Sequence, residues 1–299
     1  MTAKRTVGVV GLGIMGGAFA ENLAGAGWRV IGYDIDPGRR RALAKKGVEI
    51  ATDAVDLVAK SPTIITSLPN PLALKDTVKA IVGAHAGARV VVETSTFALN
   101  DKVSAERALA KADHVMLDCP ISGTGAQARV KDIIIYASGD RKAIRELKPL
   151  FGDFARATHD LGAFGNGSRM KYVANLLVAI NNVASAEAIV LGMKAGLDPQ
   201  VIHDMVVGGA ANSRVFQLRA PMMVKGRYGD DVTMKIAIWQ KDMAVIGAFA
   251  KQLGCPVPLF AATRPIYNAA MASGYAMEDT AAVCAVLEQK AGVKRTKHK

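Results

Sequence analysis

The sequence is poor in several things, and each shortage excludes something. Its 299 residues hold three cysteines (Cys119, Cys255 and Cys284), odd in number and widely spaced. Neither a disulfide framework nor a thiolate metal site is expected from them, which suits a reducing compartment. The histidines His85, His114, His159 and His203 match no ligand spacing either, so no metal is expected. No uninterrupted apolar run of about 18 residues occurs, and no membrane span is expected. The opening "MTAKRTVGVVGLG" passes straight into a strand-like run without the longer apolar segment of a signal peptide. A cytoplasmic location is the expectation. Aromatic residues make up only 5%, leaving few platforms on which bases could stack. There is no internal repeat and no low-complexity linker.

Positive charge, by contrast, is plentiful: the formal net charge is +12. Five basic residues lie in the terminal "QKAGVKRTKHK" (Lys290, Lys294, Arg295, Lys297 and Lys299), read as a solvated extension, with the basic tail proper over 292–299. The rest are scattered, which argues against specific nucleic-acid binding and for a field that attracts an anionic substrate. Through the first half, short runs rich in Val, Ile, Thr and Tyr ("RTVGVV", "RVIGYD", "TIITSL", "RVVVET", "HVMLD", "DIIIYAS") alternate with alanine-rich amphipathic stretches. This alternation predicts βαβ units and a mostly parallel sheet. After about residue 164 the β-branched runs stop. "MKYVANLLVAINNVASAEAIVLGMKAG" lacks proline and has no glycine before Gly192, which predicts one long helix over roughly 168–194. Further helices are expected around 199–208, 232–253, 258–273 and 278–291. The expected organisation is an α/β Rossmann-type domain over 1–164, then an all-α domain over 165–291 joined by the long helix.

The first strand runs into "GLGIMGGAFAENLAGAG", where Gly11, Gly13 and Gly16 form G-x-G-x-x-G. Preceded by a strand and opening a helix, this pattern is a dinucleotide-binding fingerprint. Gly11 permits the turn, Gly13 lets the backbone approach a pyrophosphate, and Gly16 allows helix–strand packing; Leu12, Ile14 and Met15 complete the loop. Asp34 ends the second strand, 18 positions after Gly16. An acid there accepts hydrogen bonds from the adenosine ribose and repels a 2′-phosphate, favouring NAD over NADP. Arg39, Arg40 and Arg41 read as a solvated helix face.

The chain also resembles the β-hydroxyacid dehydrogenase family, which includes 3-hydroxyisobutyrate dehydrogenase, tartronate semialdehyde reductase and, more distantly, 6-phosphogluconate dehydrogenase. "GLGIMG" matches the family's opening motif. "SLPNPLALKDTV" looks like its "LP" loop, which implies that Leu68 and Pro69 border the cofactor. "ETSTFAL" resembles its D-x-S-T segment with Glu93 in place of Asp; Ser95 and Thr96 would then lie near the nicotinamide end. "DCPISGTGAQA" matches the substrate motif, implying that Ser122, Gly123 and Thr124 hold a substrate carboxylate. "GNGSRMKYVAN" matches G-x-G-x-x-x-K-x-x-x-N and gives Lys171 and Asn175 as catalytic residues. "WQKDMAV" resembles the late K-D segment, where Lys241 approaches the cofactor.

A lysine beside a bound dinucleotide cation can serve as the proton acceptor that alcohol oxidation requires, and an asparagine one helical turn on can orient the hydroxyl. Considered alone, a lysine and an asparagine on a long helix are usually a solvated pair; the other motifs lift the functional reading. The implied activity is NAD-dependent hydride transfer to or from a small β-hydroxyacid, in a homodimer or homotetramer. Two alternatives carry less. Oxidative decarboxylases of the 6-phosphogluconate type place a glutamate seven residues after the lysine, where this chain has Val178. A non-catalytic relative would be expected to have lost the lysine. Arg214 and Phe216 are candidates for reaching the substrate mouth.

Overall fold

The computed structural model describes residues 5–230 and 232–295. Strands β1 (Thr6–Val10), β2 (Arg29–Tyr33), β3 (Glu49–Ile50), β4 (Thr63–Thr66), β5 (Val90–Glu93) and β6 (Val115–Asp118) alternate with helices α1 (Ile14–Gly25), α2 (Pro37–Ala44), α3 (Ala54–Lys60), α4 (Pro71–Gly83) and α5 (Leu99–Ala110). They form one parallel sheet in the order β3-β2-β1-β4-β5-β6, a doubly wound arrangement whose order reverses between β1 and β4. Parallel strands are covered on both faces, which is why they read as near-continuous apolar runs. Val7, Val9 and Ile65 pack with Phe19 and Leu23 of α1 on one side. Val10, Ile31 and Ile64 pack with Leu57 of α3 and Leu74 of α4 on the other. Short polar side chains set helix starts: Asp36, Asp53 and Asn70 accept backbone amides at the first turns of α2, α3 and α4.

A smaller sheet follows, built from β7 (Ile121–Ser122), α6 (Gly125–Arg129), β8 (Ile134–Ala137), α7 (Arg141–Glu146), α8 (Lys148–Gly152) and β9 (Ala157–Asp160). β7 pairs antiparallel and β9 parallel to β8. Only β8 is legible in the sequence. β7 and β9 are too short or too polar to carry a periodic signal, and are strands because β8 offers them an edge.

Helix α9 (Asn166–Lys194) is a single 29-residue helix. The chain divides into two compact units after Lys171, inside this helix. The division lies beyond the glycine pair Gly165 and Gly167 because the first turn of α9 is seated on the sheet unit. A Cβ on Gly167 would lie 2.3 Å from the Tyr136 carbonyl oxygen and 2.6 Å from that of Asp118.

The second unit comprises the rest of α9, α10 (Pro199–Val207), α11 (Arg214–Lys225), α12 (Ile236–Gln252), α13 (Pro258–Ala272), a 3₁₀ turn (Thr280–Ala282) and α14 (Val283–Ala291). Tyr172, Trp239, Met243, Phe260 and Tyr267 fill its core. α11 lies outside the segments expected to be helical, and it carries Pro221 in its interior. Ser213 caps its start, accepting the Phe216 amide at 3.0 Å, Gly226 ends it in the left-handed region (φ 64°), and Phe216, Ala220 and Met223 bury one face.

By length and composition α9 could cross a membrane, with a mean hydropathy of 1.7 in its most apolar 18-residue window. It is not an uninterrupted apolar run, because Asn175, Asn182 and Ser185 interrupt it. Within the second unit those side chains are hydrogen-bonded: Asn175 to Asp242, Asn182 to Tyr267 and the Thr280 carbonyl, Ser185 to the Asn181 carbonyl. The basic tail also departs from expectation. Arg295 is fastened to the second unit, donating to the carbonyls of Met223 and Val224 and pairing with Glu288. Lys297 and Lys299 lie outside the described residues.

Candidate active site

The β1–α1 turn is built for close approach. Gly11 adopts φ 90°, donates its amide to the Tyr33 carbonyl at 2.8 Å, and would place a Cβ 2.2 Å from the Ser67 carbonyl oxygen. A Cβ on Gly16 would sit 1.9 Å from the Gly11 carbonyl oxygen. Gly13 differs: it is the N-cap of α1, contributes no capping side chain, and would bring a Cβ no closer than 3.6 Å to any neighbour, the Arg39 guanidinium. Two glycines are therefore demanded by packing and the third leaves the helix start open, as a phosphate-binding turn requires. Leu12 is buried, Met15 half-buried and Ile14 exposed.

Asp34 is 5% exposed at the end of β2. Its Oδ2 accepts the Leu12 amide at 2.7 Å and its Oδ1 the Asp36 amide at 2.8 Å. Arg39 does not sit on a plain solvated face: its Nη1 folds back to 3.3 Å from Asp34 Oδ2.

The next loops are tied together. Ser95 Oγ accepts the Leu68 amide at 2.8 Å, and the Ser95 amide donates to Glu93 Oε1 at 2.8 Å. Thr96 is half-buried beside them and Pro69 is exposed. The "SGTG" turn is reached from β7. Gly123 takes φ 135°, and a Cβ there would press within 2.7 Å of Ile133. Thr124 caps α6 through a capping box with Gln127: its amide and hydroxyl both donate to Gln127 Oε1, at 3.0 and 3.2 Å. Its polar groups are thus engaged in shaping the turn, an arrangement that the motif alone did not reveal. A Cβ on Gly125 would meet Ile14 at 2.1 Å, so the dinucleotide turn and the "SGTG" turn are packed directly on each other.

Lys171 is half-buried in the first turns of α9. Asn175, one turn on, is 4% exposed, and its Nδ2 donates to Asp242 Oδ2 at 2.9 Å. Lys241 Nζ lies 3.3 Å from the other oxygen of Asp242. Asp242 stands beside Lys241 in the sequence, but nothing local links it to Asn175, 67 positions away. Phe216 is buried and stacked on His203 at 6.0 Å in the helical core, whereas Arg214 is exposed and bonded to Gln217. Cys119 is fully buried, and burial together with neighbouring Asp118 pushes its thiol far above the usual range, which makes it a packing residue. Among the described residues no group of His, Cys, Asp and Glu could hold a metal ion.

A doubly wound sheet with this glycine turn and an acid at the end of β2 has the architecture of a dinucleotide-binding unit. Comparison with known proteins narrows the class. Residues 6–164 match the NAD binding domain of 6-phosphogluconate dehydrogenase, and residues 165–287 match the NAD-binding domain of NADP-dependent 3-hydroxyisobutyrate dehydrogenase. L-threonate dehydrogenase of Escherichia coli (strain K12) is 31% identical over 283 residues, with 93% of both chains covered. The crystal structure of 3-hydroxyisobutyrate dehydrogenase from Salmonella typhimurium aligns with a TM-score of 0.84 at 28% identity, covering 94% of this chain and 99% of that one. The Mycobacterium tuberculosis 3-hydroxyisobutyrate dehydrogenase structure with L-serine aligns with a TM-score of 0.86 at 26% identity, covering 95% and 99%. The chain belongs to the β-hydroxyacid dehydrogenase family, NAD(P)-dependent oxidoreductases that act on hydroxyl groups.

Proposed function

We propose that this enzyme interconverts a short 3-hydroxycarboxylate and its carbonyl product, using Lys171 as the acid–base group and NAD in preference to NADP. What carries the reading is the burial of Asn175 and its hydrogen bond to Asp242, on the same uninterrupted helix and one turn beyond Lys171. A merely solvated pair would need neither. In oxidation the Lys171 amine accepts the hydroxyl proton while Asn175 orients that hydroxyl; in reduction the ammonium returns the proton. Bound NAD supplies the hydride acceptor. The turn from Gly11 through Leu12, Gly13, Ile14 and Met15 to Gly16 receives the pyrophosphate, Asp34 faces the adenosine ribose, and Leu68, Pro69, Ser95, Thr96 and Lys241 border the nicotinamide half. Ser122 and the backbone at Gly123 receive the carboxylate, on a turn that Thr124 holds in shape. The L-serine in the M. tuberculosis relative and the name of the E. coli relative both support a short acid with a hydroxyl on C3.

The test is a panel of 3-hydroxyisobutyrate, glycerate, threonate and 3-hydroxypropionate followed by NADH absorbance. Turnover confined to alcohols without a carboxylate would remove the assignment of Ser122 and Gly123. NAD binding with no turnover of any hydroxyacid would favour a binding module. The chain further assembles as a homodimer or homotetramer. Met170, Leu177, Ala184 and Leu191 recur every seven residues on the exposed side of α9, an apolar seam of the kind helices bury against one another. A monomeric mass in light scattering at micromolar concentration counts against assembly, and Leu177→Glu should dissociate it.

A further inference from the structure

Glu93 and Asp118 end adjacent strands in register, β5 beside β6, so two carboxylates leave the sheet side by side. Like charges that close are unfavourable unless answered. Lys102 of α5 answers them: fully buried, its Nζ lies 2.6 Å from Glu93 Oε2 and 2.7 Å from Asp118 Oδ1. Burial alone would lower the lysine's pKa, but Asp118 and Glu93 outweigh it and hold the ammonium protonated well above the ordinary lysine range. A buried ion group of this kind is a weak source of stability, since apolar side chains of similar volume often serve as well. Its geometry is more telling.

One arm leads to the cofactor-side loops. Glu93 Oε1 accepts the Ser95 amide at 2.8 Å, and Ser95 Oγ accepts the Leu68 amide at 2.8 Å. The other arm leads to α9. Asp118 Oδ2 accepts the Ser168 amide at 2.7 Å, Asp118 Oδ1 accepts the Ser168 hydroxyl at 2.8 Å, and Ser138 Oγ accepts the Gly167 amide at 2.9 Å while donating to Asp118. A carboxylate at the start of a 29-residue helix also meets the positive end of its dipole. With Gly167 pressed against the carbonyls of Tyr136 and Asp118, these bonds fix the rotation of α9 about its axis three residues before Lys171.

We propose that Lys102 is a positioning residue that joins the loop carrying Ser95 to the first turn of α9 and so fixes where Lys171 points. The proposal rests on the reading of Lys171 as the acid–base group. Two variants of the full-length protein test it. Lys102→Met removes the ammonium. Glu93→Gln/Lys102→Met removes it while keeping the group's net single negative charge; Asp118 retains its donors from Ser168 and Ser138, and an amide oxygen at position 93 can still accept from Ser95. The double variant answers the question if the single one does not fold.

NADH affinity and KM for the hydroxyacid should change by less than about threefold while the single-turnover hydride rate falls about 10–100-fold, the signature of a misplaced catalytic group. Adding Lys171→Ala to the double variant should make it no slower than Lys171→Ala alone, because residues acting through one group are not additive. A parent-like hydride rate with only a lowered unfolding midpoint overturns the proposal, and so does a loss that adds fully to that of Lys171→Ala. A parent-like rate in Lys171→Ala, which leaves the triad intact, overturns the assignment of Lys171 and the coupling that depends on it.

Discussion

The sheet unit and the helical unit satisfy their buried polar groups in different ways. In the sheet unit the buried acids stand at strand ends, Asp34 just after β2, Glu93 at the end of β5 and Asp118 at the end of β6, and nearby backbone amides answer them: Leu12 and Asp36 on Asp34, Ser95 on Glu93, Ser168 on Asp118. The helical unit has no such row of strand ends among its described residues. There, the buried asparagines of α9 are matched one by one across elements, Asn175 with Asp242 and Asn182 with Tyr267 and the Thr280 carbonyl, while one buried acid, Asp279, is treated as in the sheet unit: it caps the 3₁₀ turn and accepts the amides of Thr233, Met234 and Ala281. A parallel sheet produces a line of open backbone groups at one edge, where charged ligands can be received at little loss. A helical core offers none, so a buried asparagine on α9 persists only because a partner was placed for it.

On the proposed function, dinucleotide recognition falls to the strand ends and proton transfer to Lys171 on α9, and the largest expected effect tests that division. Lys171→Ala should slow the pre-steady-state hydride step about 10²–10⁴-fold while NADH affinity stays at the parent value. Lys171→Arg should rescue little, because a guanidinium stays protonated and cannot accept the proton. Oxidation in the parent enzyme should rise with pH, since only the neutral amine accepts a proton. A hydride rate within a few-fold of the parent would return Lys171 to the solvated class.

A mirrored pair sharpens the contrast. Gly16→Ala sets a methyl 1.9 Å from a backbone oxygen that cannot yield. NAD affinity should fall about tenfold or more, equivalent to 1.4 kcal/mol or above, with amide exchange in the helical unit unchanged. Asn182→Ala should do the reverse: the Thr280 carbonyl and the Tyr267 hydroxyl each lose the amide that Asn182 donates, the helical unit is destabilised by about 1–3 kcal/mol, and NAD affinity holds. If either change crossed into the other unit's readout, the division of labour would be wrong.

The smallest effect concerns the cofactor choice. Asp34→Ala should narrow the preference for NAD over NADP, and Arg39→Ala should widen it, because the guanidinium 3.3 Å from Asp34 offsets part of the charge that repels a 2′-phosphate. Equal kcat/KM with both cofactors in the parent enzyme would dismiss the role given to Asp34.

The sequence by itself determined whatever depends on local backbone geometry. The glycines of the first turn, the acid closing β2, the uninterrupted α9 and the passage from strands to helices are each written within a few consecutive residues, because strand and helix periods act over that range. It could not announce β7 or β9, whose few residues become strands only against β8, nor α11, whose burial of Phe216 and Met223 outweighs Pro221. Only the tertiary structure decided how polar groups were spent: the Thr124 hydroxyl on Gln127, Arg39 on Asp34, Arg295 on the end of α11, and Lys102 between Glu93 and Asp118. Asn175 is the clearest case, for its partner Asp242 lies 67 positions away. Spacing places a side chain on a face of its own helix or strand. Which of many distant acids and amides meets it is settled when the elements pack and each buried polar group must find a partner within hydrogen-bond reach.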